Sequence, residues 1–269
     1  MAFSESGYGG RFTLTLLTDD PVMAAEADAA GVQRIGVDIE RLGKAGRQAA
    51  QPQARISAHT LHDLARVGPA LRNARLFCRL DPPHLGTAEQ IERALELGAR
   101  VLMLPYFTET EEAARFVEIV DGRAETVLLV ETSAAAWRVE RLVALQGLDE
   151  IMVGLNDLSW SLGIDNRFSL LASPLMGALS TAVRTAGKRF SVGGLGRWDD
   201  ATLGSAPDVI YAQYPRLQAQ GAWLARSFYR GAAPFDWPAA VGSLRRRLDH
   251  WASRDGPELE AARRSLAGP

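Results

Sequence analysis

Short apolar runs alternate with longer segments of helical periodicity along the chain, and this alternation constrains the fold more than any other feature. The runs predict strands at residues 11–18, 34–40, 75–80, 100–106, 125–132, 150–157, 189–194 and 208–213. Segments such as 87–97, 110–120, 133–145 and 174–186 carry apolar residues at helical spacing between them. Eight repeats of strand and helix predict an α/β chain folded as a closed (β/α)₈ TIM barrel.

An open, doubly wound sheet is the main alternative for such a pattern. That fold is expected to carry a G-x-G-x-x-G turn after its first strand, but the segment LLTDDPV contains no glycine. Glycines do follow the predicted helices, at Gly98, Gly122, Gly147 and Gly187. A glycine just past a helix is a common C-terminal stop signal, so these positions support the predicted boundaries.

The tail beyond the eighth predicted strand departs from the repeat. AWLARSFYRG predicts a helix that completes the eighth unit, and WPAAVGSLRRRLDHWASRD and PELEAARRSLAG predict two more. Trp223, Phe228, Trp237 and Trp251 need burial, either on the barrel itself or against another subunit. We therefore predict a barrel domain at residues 1–231 and a C-terminal helical extension at 232–269, packed on its own barrel or on a neighbouring subunit.

Charge and composition exclude several classes of protein. The 30 basic and 32 acidic residues give a net charge of −2 without a clustered basic excess, which argues against nucleic acid and membrane surfaces as partners. No apolar run approaches the roughly 20 residues that span a bilayer. The start MAFSESGYGGRF has no secretory pattern, so a cytoplasmic location is expected. The single Cys78 excludes a disulfide framework and a cysteine zinc site.

Lysine is rare in this chain, which bears directly on carbon–carbon bond chemistry. Only Lys44 and Lys188 are lysines. Lys188 precedes the seventh predicted strand, so it is expected at the end of the barrel opposite the catalytic face, and Lys44 lies on a loop. A lysine Schiff base is therefore disfavoured, and such chemistry would need another electron sink.

Polar residues follow several predicted strands, at the end of a barrel where catalysis takes place. The second strand ends with Asp38, Glu40 and Arg41, the third with Arg79, the fifth with Glu131, and the sixth with Asn156 and Asp157. Glu131 and Asp157 lie one repeat apart at adjacent strand ends, an arrangement that suits a hard cation such as Mg²⁺ or Mn²⁺. Alternatively, Glu131 caps the helix that follows it.

Three segments between Arg79 and Gly163 carry a family resemblance. GARVLMLPYFTETEEA, VLLVETSAAA and GLDEIMVGLNDLSWSLG resemble the HpcH/HpaI aldolase and citrate lyase β-subunit family of the phosphoenolpyruvate/pyruvate barrel superfamily. The most specific parts are E-T and G-x-x-D-L-S-x-x-L-G. The resemblance implies a metal-dependent lyase in which Glu131 and Asp157 hold Mg²⁺, Mn²⁺ or Co²⁺ and Arg79 holds the carboxylate of an α-keto acid.

The implied chemistry agrees with the shortage of lysine. In the family the metal binds the ketone and carboxylate oxygens of a pyruvate-like group and stabilises the enolate formed when the C–C bond breaks, in place of an iminium. Arg79 would add a permanently charged, bidentate partner for a carboxylate. The backbone around Gly154, Asn156 and Asp157 matches the family's loop against the substrate, and Gly154 allows close approach.

One departure from the family pattern leaves the general base open. The family's pyruvate aldolases have D-x-E-H after the second strand, whereas this chain has Asp38-Ile39-Glu40-Arg41. Arg41 cannot act as a base because arginine does not deprotonate in proteins. The remaining candidates are Glu40, Asp38, a metal-bound hydroxide, and the histidines His59 and His62. Of these, we predict a metal-bound water near Glu40. The two histidines can equally be surface residues at the start of the second helix, with Ser57 or Thr60 as its cap.

The loop after the second strand bears on the substrate. Its Lys44 and Arg47 could bind a phosphate or a second carboxylate, or they could belong to a solvated loop. Three functions follow: a class II aldolase acting on a hydroxy-keto acid through a pyruvate-like enolate, a lyase for a 3-hydroxyacyl-CoA thioester such as malyl-CoA or citramalyl-CoA, and a non-catalytic barrel that binds a keto acid or sugar acid. The resemblance also implies homotrimers or homohexamers that exchange C-terminal helices.

Overall fold

Eight parallel strands close into a barrel in the order of the chain. The computed structural model describes residues 7–43, 57–200, 207–229 and 235–267. The strands are β1 (Thr13–Leu17), β2 (Arg34–Asp38), β3 (Arg75–Arg79), β4 (Val101–Leu104), β5 (Glu125–Val130), β6 (Glu150–Val153), β7 (Arg189–Val192) and β8 (Gly221–Trp223). Each strand pairs with the next, and β8 pairs with β1. The predicted (β/α)₈ barrel is confirmed.

Helices fill the connections between the strands and follow the last one. They are α1 (Tyr8–Arg11), α2 (Pro21–Ala29), α3 (His62–Val67), α4 (Thr87–Glu96), α5 (Thr110–Val120), α6 (Ser133–Trp137), α7 (Val139–Val143), α8 (Leu155–Ser161), α9 (Arg167–Leu171), α10 (Pro174–Thr185), α11 (Pro207–Arg216), α12 (Arg226–Tyr229), α13 (Trp237–Ala252) and α14 (Gly256–Ala267). The helix predicted at residues 133–145 is divided into two at Arg138. Across the described ranges, no helix combines the length and apolar character needed to cross a membrane.

The eighth strand was predicted in the wrong place. Residues 208–213 lie in helix α11, where Ile210, Tyr211 and Tyr214 are buried at helical spacing. A short apolar run does not by itself distinguish a strand from a buried helix, which explains the error. The true β8 has three residues and starts at Gly221, where a Cβ atom would lie 2.8 Å from the Thr13 carbonyl oxygen. Such a short, glycine-led strand carries almost no sequence signal.

The C-terminal aromatic residues pack on the same chain. Trp237, at the start of α13, is buried against Phe228, Tyr229 and Phe235. Helix α13 contacts α11, α1 and α2, and α14 contacts α9 and α11. The extra C-terminal helices are thus confirmed, and α13 lies between the last and the first helices of the ring. The division between residues 231 and 232 and the packing on a neighbouring subunit stay predictions.

Charged residues fill the barrel interior at the amino ends of the strands. They are the first residues of five strands: Arg34, Arg75, Glu125, Glu150 and Arg189. The buried Arg34 donates to Glu150 with Nη2 2.6 Å from Oε2, and it also pairs with Glu125. Burial raises the pKa of the Glu150 carboxyl, but Arg34 and Arg189 outweigh burial and hold that pKa below its usual range. This end of the barrel is therefore held by ion pairs.

An apolar layer lies directly above this ionic cluster. Its members are Phe77, Val101, Met103, Val127, Leu129 and Met152, which form a core of their own inside the barrel. A second and larger core lies between the strands and the surrounding helices. The apolar layer separates the ionic cluster from the carboxyl ends of the strands, where the predicted site residues lie.

Replacing Arg34 with methionine tests the ionic cluster. The change leaves Glu150 buried with Arg189 as its remaining cation, so we expect the free energy of unfolding to fall by about 3 kcal/mol, as for a broken buried ion pair. Urea denaturation followed by circular dichroism measures it. Arg123→Met, which removes an exposed pair with Glu92, is the matched control and should leave the midpoint unchanged. Equal midpoints for both variants would contradict a supporting role for Arg34.

Candidate active site at the barrel mouth

Three predicted site residues meet at the carboxyl ends of the strands. Asp38 ends β2, Arg79 ends β3, and Glu131 follows β5 directly. In a strand every second side chain points to the same face, so these residues continue the inward-facing rows that begin with Arg34, Arg75 and Glu125. All three are nearly buried, with 4%, 8% and 2% of their surface exposed, respectively. The prediction that strand ends bring these residues together agrees with the structure.

Arg79 is held by two carboxylates. Its Nε lies 2.8 Å from Asp38 Oδ1 and its Nη2 lies 2.6 Å from Asp38 Oδ2, a bidentate arrangement. Its Nη1 lies 3.2 Å from Oε2 of the fully buried Glu40. Burial lowers the pKa of Arg79, but Asp38, Glu40 and Glu131 outweigh it and raise that pKa above its ordinary value. Three of the five N–H donors of Arg79 are engaged in this way, which leaves two for a ligand.

Trp223 completes the surroundings of Arg79, and sequence reasoning missed it. The guanidinium carbon of Arg79 lies 5.0 Å from the centre of the Trp223 ring, within cation–π range. A Cβ atom at Gly193 would lie 2.7 Å from the same ring, so this glycine makes room for the indole. Trp223 was assigned to a tail helix because β8 was misplaced. A correct position for β8 would have identified it as the last inward-facing residue of that strand.

Glu131 is positioned by its neighbours and does not cap the following helix. Its Oε1 accepts a hydrogen bond of 3.0 Å from the backbone N–H of Tyr106. The cap of α6 is Thr132, whose Oγ1 accepts from the N–H of Ala135 at 3.1 Å. A Cβ atom at Gly154 would lie 2.7 Å from Glu131 Oε2. The carboxylate therefore lies against the backbone at the end of β6, where only glycine leaves room for it. The predicted approach of this backbone to a substrate stays a prediction.

Asp157 lies in the first turn of α8, the helix that begins directly after Gly154. Asp157 is half-buried and Asn156 is exposed. In the part of the chain that the structure describes, no cluster of three or more histidine, cysteine, aspartate or glutamate side chains is arranged to hold a metal ion. A cation at Glu131 and Asp157 would thus need further oxygen ligands from substrate and water, as is usual for Mg²⁺.

The charges at the mouth fit a divalent cation. Asp38, Glu40, Glu131 and Asp157 are four carboxyl groups at or near this end of the barrel, and Arg79 contacts the first two. Carboxylate oxygens are the donors that Mg²⁺ and Mn²⁺ prefer. The donor set at Glu131 and Asp157 therefore suits the ion that the sequence predicted, and the roles of these residues stay predictions.

Arg41 and His59 are joined at the rim of the site. Nη2 of Arg41 donates to the carbonyl oxygens of Ala58 and His59, at 2.7 and 3.1 Å. The backbone N–H of Asp38 donates to Nδ1 of His59 at 3.1 Å, and Nε2 of His59 lies 3.5 Å from Asp19 Oδ1. Burial lowers the pKa of His59, although Asp19, Asp38 and Asp63 oppose this; Arg226 lowers it further. His59 thus contacts the site directly.

The other candidates from the sequence lie farther out or outside the described residues. His62 is exposed in the first turn of α3, which has no side-chain cap from Ser57 or Thr60. It therefore matches the surface alternative, whereas His59 does not. Lys44 and Arg47 fall within residues 44–56, which are outside the described ranges. Their predicted contact with a substrate anion stays a prediction.

Comparisons with known proteins place this chain in a family. The family model of HpcH/HpaI aldolase/citrate lyase matches residues 11–192, which include Arg79, Glu131 and Asp157. The chain is 28% identical over 126 residues to the 4-hydroxy-4-methyl-2-oxoglutarate aldolase cghB of Chaetomium globosum, an alignment that covers 46% of this chain and 43% of that protein. The chain thus aligns with less than half the length of this curated relative.

Solved structures share the fold at low sequence identity. An HpcH/HpaI aldolase/citrate lyase family protein from Burkholderia cenocepacia J2315 has a TM-score of 0.62 at 18% identity, covering 80% of this chain and 88% of that one. A citrate lyase beta subunit complexed with oxaloacetate and magnesium, from M. tuberculosis, has a TM-score of 0.59 at 18% identity, covering 90% and 98%. These likenesses support the barrel architecture.

Gly154→Ala tests whether the approach of the backbone to Glu131 forms part of a cation site. The added Cβ would displace the Glu131 carboxylate, so we expect Mn²⁺ to bind about tenfold more weakly, as when a group that supports a metal ligand is lost. Gly154 has φ −88°, so the backbone itself is not strained. Gly177→Ala is the control, because its Cβ meets nothing within 4 Å. Electron paramagnetic resonance of free Mn²⁺ measures both, and equal affinities would contradict the assignment.

Proposed function

The chain belongs to the HpcH/HpaI aldolase/citrate lyase family, and from this premise we propose that it is a divalent-metal-dependent lyase that breaks or forms a C–C bond through a pyruvate-like enolate. Family and relatives support C–C lyase chemistry. The observation that carries the metal-dependent proposal is the set of carboxylates around Arg79 at the barrel mouth. Lys188 precedes β7 and lies at the opposite end of the barrel, so it is not available for a Schiff base.

Some residues of the site would hold a charged cation, and others would orient the substrate. A divalent cation held by Glu131 and Asp157 would supply Lewis-acid charge where the enolate develops. Arg79 orients the substrate, because its two remaining N–H donors can bind a carboxylate while Asp38 fixes the plane of the guanidinium. Trp223 covers one face of Arg79. Gly154 leaves room for the Glu131 carboxylate against the end of β6.

We propose that the pair of His59 and Asp19 transfers the proton in this reaction. Asp38 and Glu40 are engaged with Arg79, and a metal-bound water near Glu40 stays the alternative. His59 accepts the Asp38 N–H at Nδ1, so its neutral ring carries hydrogen at Nε2, facing the half-exposed carboxylate of Asp19. A proton can thus be held between His59 Nε2 and Asp19 Oδ1 at the rim. Asp38, Asp63 and Arg226 are the other charged groups that influence this ring.

The substrate that we propose is a hydroxy-keto acid. The name of the Chaetomium globosum relative, an aldolase for 4-hydroxy-4-methyl-2-oxoglutarate, supports this class. The alternatives are a 3-hydroxyacyl-CoA thioester and binding of a keto acid or sugar acid without catalysis. Direct assay of thioesters against free acids separates the first two, and exchange of the methyl protons of pyruvate in D₂O identifies the third by its absence. A cytoplasmic homotrimer or homohexamer is proposed as the working assembly.

Asp157→Ala tests the metal-dependent lyase directly. With one of the two proposed metal ligands removed, we expect cleavage of a 4-hydroxy-2-keto acid in the presence of Mg²⁺ or Mn²⁺ to fall at least about 100-fold, because the Lewis acid is lost. The thermal unfolding midpoint should stay within a few degrees of the wild type, since Asp157 is half-buried at a helix start. Asp165→Ala, at an exposed position on a nearby loop, is the control. Retained activity in the Asp157 variant, or in the wild type after exhaustive chelation, would refute the proposal.

His59→Gln tests proton transfer. We expect kcat to fall about 100-fold or more, the usual contribution of a positioned acid–base group, while Mn²⁺ affinity stays unchanged. Because the pKa of His59 lies below its ordinary 6.5, the neutral ring persists as pH falls, and the acid limb of kcat in the wild type should lie below pH 6.5. His62→Gln, three residues away and exposed, should keep both the rate and the pH profile. An unchanged profile in the His59 variant would assign proton transfer to another group.

A further inference from the structure

A second cleft opens beside the barrel mouth, between the loops that follow β7 and β8. It is small, with a volume of about 40 Å³, and is open to solvent. Its walls are the 194–197 loop, the start of α12, and faces of α9 and α11. Gly193, the residue before this loop, contacts the Trp223 ring that covers Arg79. The cleft therefore lies next to the candidate active site, with Trp223 between the two.

Several hydrogen-bond donors that line this cleft have no acceptor among the described residues. The neighbouring amides of Gly193 and Leu195 donate to the carbonyl oxygens of Val153 and Trp223. Within the described residues, by contrast, the N–H groups of Gly194 and Gly196 and the hydroxyl of Ser227 have no hydrogen-bond partner in the protein. Gly194 has φ +89°, a left-handed conformation that favours glycine. Gly196 is buried, where a backbone donor is nearly always satisfied, and Gly194 is exposed to solvent. These groups are therefore available to a bound acceptor.

The cleft also contains a cationic side chain, that of Arg167. The guanidinium of Arg167 lies 4.7 Å from the centre of the Phe168 ring, and no acidic side chain pairs with it in the described part of the chain. Burial lowers the pKa of Arg167, and no neighbouring acid opposes this. Arg197, on the opposite wall, differs because Asp199 neutralises it through two contacts of 2.9 and 2.8 Å. The positive charge in the cleft therefore comes from Arg167.

We propose that this cleft binds the oxyanion group of a small molecule, either a phosphate or a carboxylate. Arg167 supplies the charge, and the Gly194 and Gly196 amides with the Ser227 hydroxyl supply directed donors, the combination that holds anions in proteins. The loops after the seventh and eighth strands hold phosphate in many (β/α)₈ barrels, so the position suits this role. Leu195 and Ile210 give the cleft an apolar wall for the rest of the ligand. The site is separate from Glu131 and Asp157 and does not depend on the proposed lyase activity.

Titration with inorganic phosphate and with acetate tests the site. The full-length ¹⁵N-labelled protein should show chemical-shift changes at the Gly194 and Gly196 amides, and the anion that saturates them at lower concentration identifies the ligand class. Arg167→Gln should weaken binding of that anion at least tenfold, and Ser227→Ala should weaken it severalfold. Arg93→Gln, which removes an exposed cation on α4, is the matched control.

Each result bears on the proposal. Saturable shifts at Gly194 and Gly196 that weaken in both cleft variants and not in the Arg93 variant support it. Absence of saturable shifts with either anion would overturn it, as would equal affinity in the Arg167, Ser227 and Arg93 variants. If the Arg167 variant does not fold, the Ser227 variant still tests the proposal. Mn²⁺ binding to the wild type serves as the independent check that the neighbouring site is intact.

Discussion

Closure of the barrel is the constraint on which the rest of this structure depends. Because β8 pairs with β1, every strand has two neighbours, and alternate side chains of each strand must share one enclosed interior. The same rows that bring Arg34, Glu125 and Glu150 together at one end bring Asp38, Arg79 and Glu131 together at the other. The site is thus a consequence of strand parity and register, and no local motif builds it alone.

The two ends of the interior differ in the way their charged side chains are arranged. At the amino ends of the strands, Glu125 pairs with Arg34, Arg75 and Arg189, and Glu150 pairs with Arg34 and Arg189. At the carboxyl ends, Arg79 contacts Asp38 and Glu40, with Glu131 close enough to raise the pKa of Arg79 further. The first arrangement links five strands by ion pairs across the barrel. The second brings carboxylate oxygens together at the end of the barrel where catalysis takes place in this fold, and such oxygens are the donors that a divalent cation prefers.

The sequence predicts the barrel well and its last strand poorly, for a physical reason. Strands such as β5 have a long apolar run with a clear end, so Glu131 could be placed at the mouth from its position alone. Strand β8 has three residues and begins with glycine, so its signal was weaker than that of the amphipathic helix before it. The same error removed Trp223 from the predicted site. Side-chain contacts such as Arg79 with Asp38 depend on register between strands, which a single sequence does not specify.

Gly154 and Glu131 show how much of the site the local sequence pattern could predict. The sequence indicated that Gly154 lets the backbone approach a substrate, whereas the structure shows that the place of a Cβ atom there is taken by Glu131 Oε2. It left open whether Glu131 was a helix cap, because an acid before a helix is compatible with both roles. The neighbouring Thr132 takes the cap, which frees the glutamate to face the interior. Glu131 and Thr132 are adjacent in sequence, and only the structure shows which of them caps the helix.

The departure at Arg41 shows how a motif residue can change while its surroundings compensate. An arginine cannot accept a proton, so its presence suggested a site without a base. In the structure Arg41 instead binds the carbonyl oxygens of Ala58 and His59 and thereby fixes the segment that carries an imidazole to the Asp38 backbone. Long-range contacts between the end of β2 and residues near 59 were not visible in the sequence, where a long polar segment separates the two. The arginine that stands where the family pattern has a histidine thus helps to hold another imidazole, that of His59, against the Asp38 backbone.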